Sequence, residues 1–565
     1  MKTGLHFLKR SVFGVELWVA AGLTLFLFWF ERWLFRMSYL ETFALIYDET
    51  LDFYLALEKM VILFALLGLL TFLFILASLV SKRGVRWVYF LFFSALLLIE
   101  YGYQNANHNF MALYDLQAAI GAPQNWPHAI PAYFNWWAVV PIALYGASLF
   151  GLPSAQKYGV GLFLTVITGL IGVYSVIYFY TGLDQLETKL RIYSAGPTLS
   201  VQSFFRMGTY SLLEQVFAYH GSRAAVGYQA KSAPENNIIF IIDESIRGDH
   251  LSLNGYKRPT TPYLEELARR GLLYNWGIAS AGSTCTYRSV ILLLTGVSEL
   301  PDTNFNLKKQ PTLFQYARAM NYKTHYFEAQ SRTPRFGITA EDFGFVDNWI
   351  NQEELGDGID TDQRLAAQLA AVAQGTAGNF MLVFKRGNHF PYNNNYPANA
   401  AIYTPVLSGE QIVSDNIPAI INSYDNGLTY NLDTFFQTLL ANKDILNNTV
   451  ILYTSDHGQT LGAETYPHCG ETQPEAVVPL FMIASPGTFN VDVGFRASHF
   501  NMFATALDLM NFPHNERAYH YQPSLLTARS VDSVDRYYFH GALFGFDEYK
   551  WLPFDLDKTQ PAAAQ

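Results

Sequence analysis

Three short apolar runs in this sequence end in side chains able to bind a metal or move a proton. NNIIFIIDES finishes on Asp243 and Glu244, NFMLVFKRGNH on His389, and NTVILYTSDHG on Asp456 and His457. His468 follows on a presumptive loop. Carboxylate oxygens and imidazole nitrogens are donors that zinc accepts, so Glu244, Asp456 and His457 are the candidate metal ligands. His389 and His468 add imidazoles that can carry protons near neutral pH. The isolated histidines, His325, His499, His514, His520 and His540, read as ordinary hydrogen-bonded or exposed residues. A hydroxyl nucleophile is available in SAGSTCTYRSV, which leads into the apolar run SVILLLTG. At a helix start, free backbone N–H groups help hold an anion. The plain alternative is a threonine acting as helix N-cap.

These side chains need a scaffold that brings distant stretches together. The apolar runs alternate with helical stretches such as PYLEELARR and DTFFQTLL. That alternation predicts an α/β domain with a mostly parallel sheet covered on both sides. Ligands of such sheets gather beyond the carboxyl ends of the strands. Three strands ending in metal-binding types therefore point to one pocket.

The region before Thr181 reads differently. Five apolar runs lie at residues 12–30, Met60–Val80, Val85–Tyr103, Phe134–Leu152 and Tyr158–Tyr180. Each is near the roughly 20 residues a helix needs to cross hydrocarbon. They predict a five-helix transmembrane domain over 1–181, a juxtamembrane helical linker over 182–235 and a catalytic α/β domain over 236–565. An anchor suits the first run better than a cleaved signal peptide, because no small-residue cleavage pattern ends it. Lys2, Lys9 and Arg10, then Lys82, Arg83 and Arg86, then Lys157 mark the cytoplasmic side, while Gln104–Tyr133 has no Lys or Arg. Arg32, Arg36 and Lys59 weaken that signal after the first run. Five crossings from a cytoplasmic N-terminus place the large domain outside. Glu16 and Glu100 fall within apolar surroundings, either as functional acids or as snorkelling boundary residues.

Composition excludes other classes. The formal charge is -10 over 565 residues, without a dense basic block, which gives no support for nucleic-acid binding. Only Cys285 and Cys469 occur, too few for a disulfide-stapled scaffold.

The ordered landmarks IIFIIDESIRGDHLSLNGYKRPTTPYL, SAGSTCTYRSV, GNHFPY and TSDHGQTLG followed by His468 resemble the alkaline-phosphatase-like superfamily. With the five-span anchor, they look closest to its membrane-bound phosphoethanolamine transferases. Phosphoglycerol transferases and lipoteichoic-acid synthases are cousins. The resemblance implies that Glu244, Asp456 and His457 bind zinc, and that a threonine completes the metal shell and is the nucleophile. Matching from Ser289-Val290 places that threonine at Thr286; Thr284 and Cys285 are the alternatives. His389 and His468 would serve the phosphate, a second metal, or the departing and incoming groups. One zinc is expected, with a second during turnover. The implied donor is phosphatidylethanolamine, the acceptor a cell-envelope glycan or lipid, and the location a bacterial inner membrane with the catalytic domain periplasmic. No obligate protein partner is implied.

The pattern also departs from the family. Asp243 stands where glycine commonly precedes the metal acid, Ala281 where a cysteine is common, and Ile291 where a proline follows Ser-Val. A sulfatase reading needs C/S-x-P-x-R, and Cys285-Thr-Tyr-Arg-Ser lacks both the proline and the arginine at that spacing. Arg288 reads equally as a phosphate contact or a structural charge, and Lys385 with Arg386 as an anionic-lipid contact or a strand-end charge pair. Cys285 and Cys469 read first as two reduced core residues. The alternative is a disulfide tying the nucleophile segment to the histidine loop, which an extracytoplasmic compartment permits.

Overall fold

The computed structural model describes residues 15–34, 71, 83–107, 134–151, 222–298, 309–335, 337–408, 416–462, 468–540 and 550–556. The chain divides into two compact units, with the division after Ala218.

The first unit contains helices α1 (Val15–Leu34), α2 (Arg83–Asn107) and α3 (Val139–Gly151). They fall on the first, third and fourth predicted spans; the second span, but for Thr71, and the fifth lie outside the described residues. So do the side chains of Glu16 and Glu100 and most of the predicted linker. Leu27, Leu97, Tyr101, Tyr145 and Leu149 form the buried seam between these helices. Within it the Tyr101 hydroxyl donates to Glu31 at 2.9 Å, so a polar pair inside the seam is satisfied. Pro141 sits in the first turn of α3, where its missing N–H breaks no helical bond. Large apolar side chains also face outward, including Trp18 (74% exposed), Leu25 (60%) and Leu91 (61%). Among the described residues, no helix is long and apolar enough to cross a membrane.

The second unit is built on a seven-stranded sheet in the order β2-β7-β6-β1-β5-β3-β4. Its strands are β1 (Asn237–Asp243), β2 (Leu273–Ser280), β3 (Lys323–Glu328), β4 (Asn348–Ile350), β5 (Asn379–Phe384), β6 (Thr449–Ser455) and β7 (Val477–Ile483). β1 pairs in parallel with both β5 and β6, and β3 with both β4 and β5, whereas β7 runs against its neighbours β2 and β6. The predicted α/β domain with a largely parallel sheet is the observed one.

Every residue of β1 is buried, as the unbroken apolar run requires of a central strand covered on both faces. Alternation then divides its side chains. Ile238, Phe240 and Ile242 enter one core with Leu293, Phe314 and Leu507, and Ile239 and Ile241 enter the other with Leu264, Leu369 and Phe436. The first core is roofed by α5 (Thr286–Thr295), α6 (Leu313–Ala319) and α10 (Met502–Leu509). The second is roofed by α4 (Pro262–Arg269), α7 (Thr361–Ala373), α8 (Ile417–Leu428) and α9 (Thr434–Leu439). A π-helical turn, Thr429–Asp433, joins α8 to α9. A separate hairpin pairs β8 (Arg536–His540) with β9 (Lys550–Phe554), and Phe539 bonds back to Gly282 at 2.9 Å. These layers hold the carboxyl ends of β1, β5 and β6 side by side.

Candidate metal centre

The register fixes the site. Asp243 is opposite Ser455 across the β1–β6 ladder, so Glu244 and Asp456 leave adjacent strands at the same level. Ser245 holds the turn with φ +63, a conformation uncommon for a residue with a side chain. Its amide donates to Asp456 Oδ1 at 3.0 Å and its hydroxyl to Glu244 Oε1 at 2.8 Å. Ser455 and Gly458 continue the second turn, and a Cβ at Gly458 would strike the backbone carbonyls of Pro474 and Val477.

The predicted ligands converge. Glu244, Asp456 and His457 are buried and bring ligand atoms within 4.8 Å of one another. His457 Nε2 lies 3.5 Å from Glu244 Oε1 and 3.4 Å from Asp456 Oδ2. Thr286 Oγ1 lies 2.9 Å from that nitrogen and 3.4 Å from Glu244 Oε1. Four donors bonded to one tetrahedral zinc stand about 3.3 Å apart, so these separations fit the ion. Two further observations fit it. The His457 Nδ1–H donates to the Gly458 carbonyl at 2.7 Å, which leaves Nε2 as the electron-pair donor. Among the described residues, Asp456 Oδ2 is buried with no hydrogen-bond partner.

The charges conflict without a cation. Burial opposes ionisation of Glu244, but His457, His389 and Arg335 outweigh it and hold the carboxyl at about 2. Burial, then repulsion from Glu244, pushes Asp456 up to about 7. Burial also disfavours a charge on His457, yet Asp456 and Glu244 raise its imidazole above the ordinary value. A divalent ion would resolve the conflict, because it would let both carboxylates ionise beside a neutral imidazole.

Thr286 owes its place to α5. The helix starts there after extended Cys285 (φ -136), so Thr286 is the first helical residue and not the N-cap. Gly296, with φ +66, closes the other end in a left-handed cap. Thr284 turns away, and its hydroxyl donates to the Gly470 carbonyl at 2.8 Å. Cys285 is bonded to Cys469 with Cα atoms 4.4 Å apart. The two cysteines are therefore a disulfide rather than two reduced core residues, and the bond joins the residue before Thr286 to the residue after His468. The His468 ring stacks on His457 at 4.6 Å and lies 5.7 Å from exposed His389. Burial, with repulsion from His457 and His389, keeps His468 well below its ordinary pKa. The His389 Nδ1–H donates to the Phe390 carbonyl at 2.6 Å.

Lys385 is not available to an anionic lipid: it is fully buried and ion-paired to Asp243 at 2.5 Å. Arg386, by contrast, donates to the Gly358 carbonyl at 2.6 Å. Arg288 is buried with its guanidinium 5.9 Å from the Phe539 ring centroid. His325 and His499 are buried and hydrogen-bonded, to Asn379 and to Gly282 and Thr454 respectively.

Two residues beside Glu244 were not singled out by sequence. Gln330 Nε2 donates to Glu244 Oε2 at 2.8 Å, and Arg335 Nη1 approaches the same oxygen at 3.7 Å. Both follow β3, whose KTHYFE run ends in Glu328. Its sequence is mixed, with Lys323, Thr324 and His325 before Tyr326 and Phe327, so the acid closing it was the one weak signal available.

Comparison with known proteins matches the family described as Sulfatase over residues 236–512. That stretch is a sulfatase-family domain. The sulfatase domain is homologous to bacterial phosphoethanolamine-transferase family members. The Kdo(2)-lipid A phosphoethanolamine 7''-transferase of Escherichia coli K12 is 24% identical over 246 residues, 43% of this chain and 42% of that protein. The Escherichia coli phosphatidylethanolamine transferase Mcr-2 is 22% identical over 345 residues, 58% of this chain and 62% of that protein. The chain thus spans less than two thirds of either relative. Among solved structures, the integral membrane lipooligosaccharide phosphoethanolamine transferase A of Neisseria meningitidis shares the fold. It superposes with a TM-score of 0.59 at 17% identity, over 87% of this chain and 95% of that one.

Proposed function

We propose that this chain is a membrane-anchored, zinc-dependent transferase. In this reading it moves phosphoethanolamine from phosphatidylethanolamine to a glycan or lipid of the cell envelope, through a phosphothreonine at Thr286. The observation that carries the reading is the approach of the Thr286 hydroxyl to within 2.9 Å of His457 Nε2, inside the Glu244–Asp456–His457 set. Homology to phosphoethanolamine and phosphatidylethanolamine transferases supports the transferred group and the lipid donor. The outward Trp18, Leu25 and Leu91 side chains support an anchor over 1–181. The disulfide supports an oxidising, periplasmic side for the domain over 236–565.

Glu244, Asp456, His457 and Thr286 would hold the zinc, which when bound lowers the pKa of a coordinated hydroxyl and draws charge from phosphoryl oxygens. Thr286 Oγ1 attacks the donor phosphorus; the phosphorus–oxygen bond to diacylglycerol breaks and the alcohol leaves with a proton. An acceptor hydroxyl then attacks the phosphothreonine, loses its proton and releases Thr286. The carbonyl contact at Nδ1 leaves Nε2 of His389 open to take or give that proton. His468, biased toward the neutral form and 5.7 Å from the His389 ring, is a second imidazole able to accept it. The N-terminus of α5 offers backbone N–H groups to the phosphate.

Intact-mass analysis after donor exposure, with peptide mapping, tests this reading. The expected result is a phosphoethanolamine adduct on Thr286 that disappears when acceptor is added. An active protein that never carries an adduct would overturn the covalent route. Lipids labelled separately in ethanolamine and glycerol head groups identify the donor, and retained glycerol label would assign phosphoglycerol transfer instead.

A further inference from the structure

We infer that the buried Asp243–Lys385 pair is a positioning element for the metal carboxylate Glu244; this rests on the metal-site reading above. The two neighbouring acids have opposite fates. Asp243 turns inward: its Oδ2 accepts from Lys385 Nζ at 2.5 Å and from the Tyr453 hydroxyl at 2.7 Å. Its Oδ1 accepts the backbone N–H of Glu244 at 2.9 Å. Lys385 also donates to the Asn431 carbonyl at 2.6 Å, sits 4.3 Å over the Phe435 ring and lies 3.7 Å from Asp362. Neither side chain of the pair reaches solvent.

The strand end beyond Lys385 is stitched to Glu244 from the other side. The Asn388 amide donates to the Glu244 carbonyl at 3.0 Å, and Asp362 accepts from the amides of Arg386 and Gly387 at 2.8 and 2.9 Å. Asn431, on the π-helical turn, donates to the Gly387 carbonyl at 2.7 Å. Gly387 has φ +62, and a Cβ there would run into Asp243 Oδ1 and the Glu244 backbone. An apolar pair would fill this space at lower desolvation cost. Ions here do something more specific: they commit one of two adjacent carboxylates to Lys385 and leave only Glu244 to face the metal set.

The test uses metal-stripped full-length protein, titrated with Zn²⁺ against a chromophoric chelator and assayed for turnover of phosphatidylethanolamine. The double variant Asp243→Asn/Lys385→Met is expected to bind Zn²⁺ about 10- to 100-fold more weakly, with lower kcat and unchanged KM for the lipid. Asp243→Asn alone keeps the acceptor for the Glu244 N–H and should shift affinity the same way, so it decides the matter if the double variant does not fold. Arg223→Met/Asp342→Leu removes another buried pair, 2.7 Å apart and outside the site, and should leave zinc affinity at the wild-type value. Wild-type affinity and kcat in the Asp243 variants, or equal weakening in the control, would overturn the inference. A wild-type chain that takes up no zinc would instead overturn the metal reading, and this inference with it.

Discussion

The Thr286 hydroxyl points at His457 Nε2 from 2.9 Å, while the Thr284 hydroxyl, two residues earlier, is bound to the Gly470 carbonyl. The extended backbone at Cys285 separates the two directions. Thr286→Ala should therefore lower transfer by on the order of 10³-fold or more, as loss of a covalent nucleophile does. Thr284→Ala should stay within about tenfold of wild type, since it removes one hydrogen bond. Initial rates with labelled donor check both, and an inactive Thr284→Ala beside an active Thr286→Ala would reverse the assignment.

Chelation should cost stability as well as activity. A ligand present at about 1,000 times its Kd adds about 4 kcal/mol to the folded state. Treatment with a strong chelator should lower the thermal midpoint, and Zn²⁺ should restore it. Glu244→Gln removes a ligand whose carboxyl is held at about 2, and should abolish most of the Zn²⁺-dependent rise. A midpoint indifferent to chelator in the wild type would count against a resident metal.

The sequence made Glu244, Asp456 and His457 readable because each follows an unbroken apolar strand in a covered sheet, where a polar residue marks the strand's end. At Lys385 the sequence left two readings, an anionic-lipid contact or a strand-end charge pair. The fold decides for the pair, with Asp243 and Asp362 beneath the strand end. Gln330 and Arg335 were hidden. They follow irregular backbone after β3, which is not next to β1 in the sheet, so no local spacing ties them to Glu244. The disulfide needed distance information too, since 184 residues separate Cys285 from Cys469.

That separation sets a stability expectation. In the chain-entropy account, closing a loop of 184 residues restricts the unfolded chain by up to about 5 kcal/mol. Cys285→Ala/Cys469→Ala should lower the unfolding free energy by about 2–5 kcal/mol. It should also loosen His468 relative to Thr286, since the bond joins their chain neighbours. Urea midpoints with and without reductant give the first quantity, and kcat below the unfolding range gives the second. A protein whose midpoint ignores reductant would show that the bond adds nothing to stability.

His499 gives the fold a defined response to acid. Its Nδ1 accepts the Gly282 N–H at 3.0 Å, so this nitrogen is unprotonated, and Nε2 lies 3.1 Å from the Thr454 hydroxyl. Burial, with repulsion from His457, brings its pKa down from the ordinary 6.5 to about 3. Below the ordinary value the unfolded chain takes up a proton at this residue that the folded chain refuses. The stability contributed by neutral His499 is therefore complete above pH 6.5 and lost as pH falls toward about 3. The loss runs at about 1.4 kcal/mol per pH unit inside that window. Asp433, raised to about 6 by its burial, works in the opposite sense, so the total slope mixes several groups. Comparing wild type with His499→Asn isolates this one, because the other groups are common to both. Urea unfolding at about pH 7 and about pH 5 should show the variant weaker at the higher pH but losing less stability on acidification. Parallel slopes in the two proteins would mean that His499 does not remain neutral in the fold.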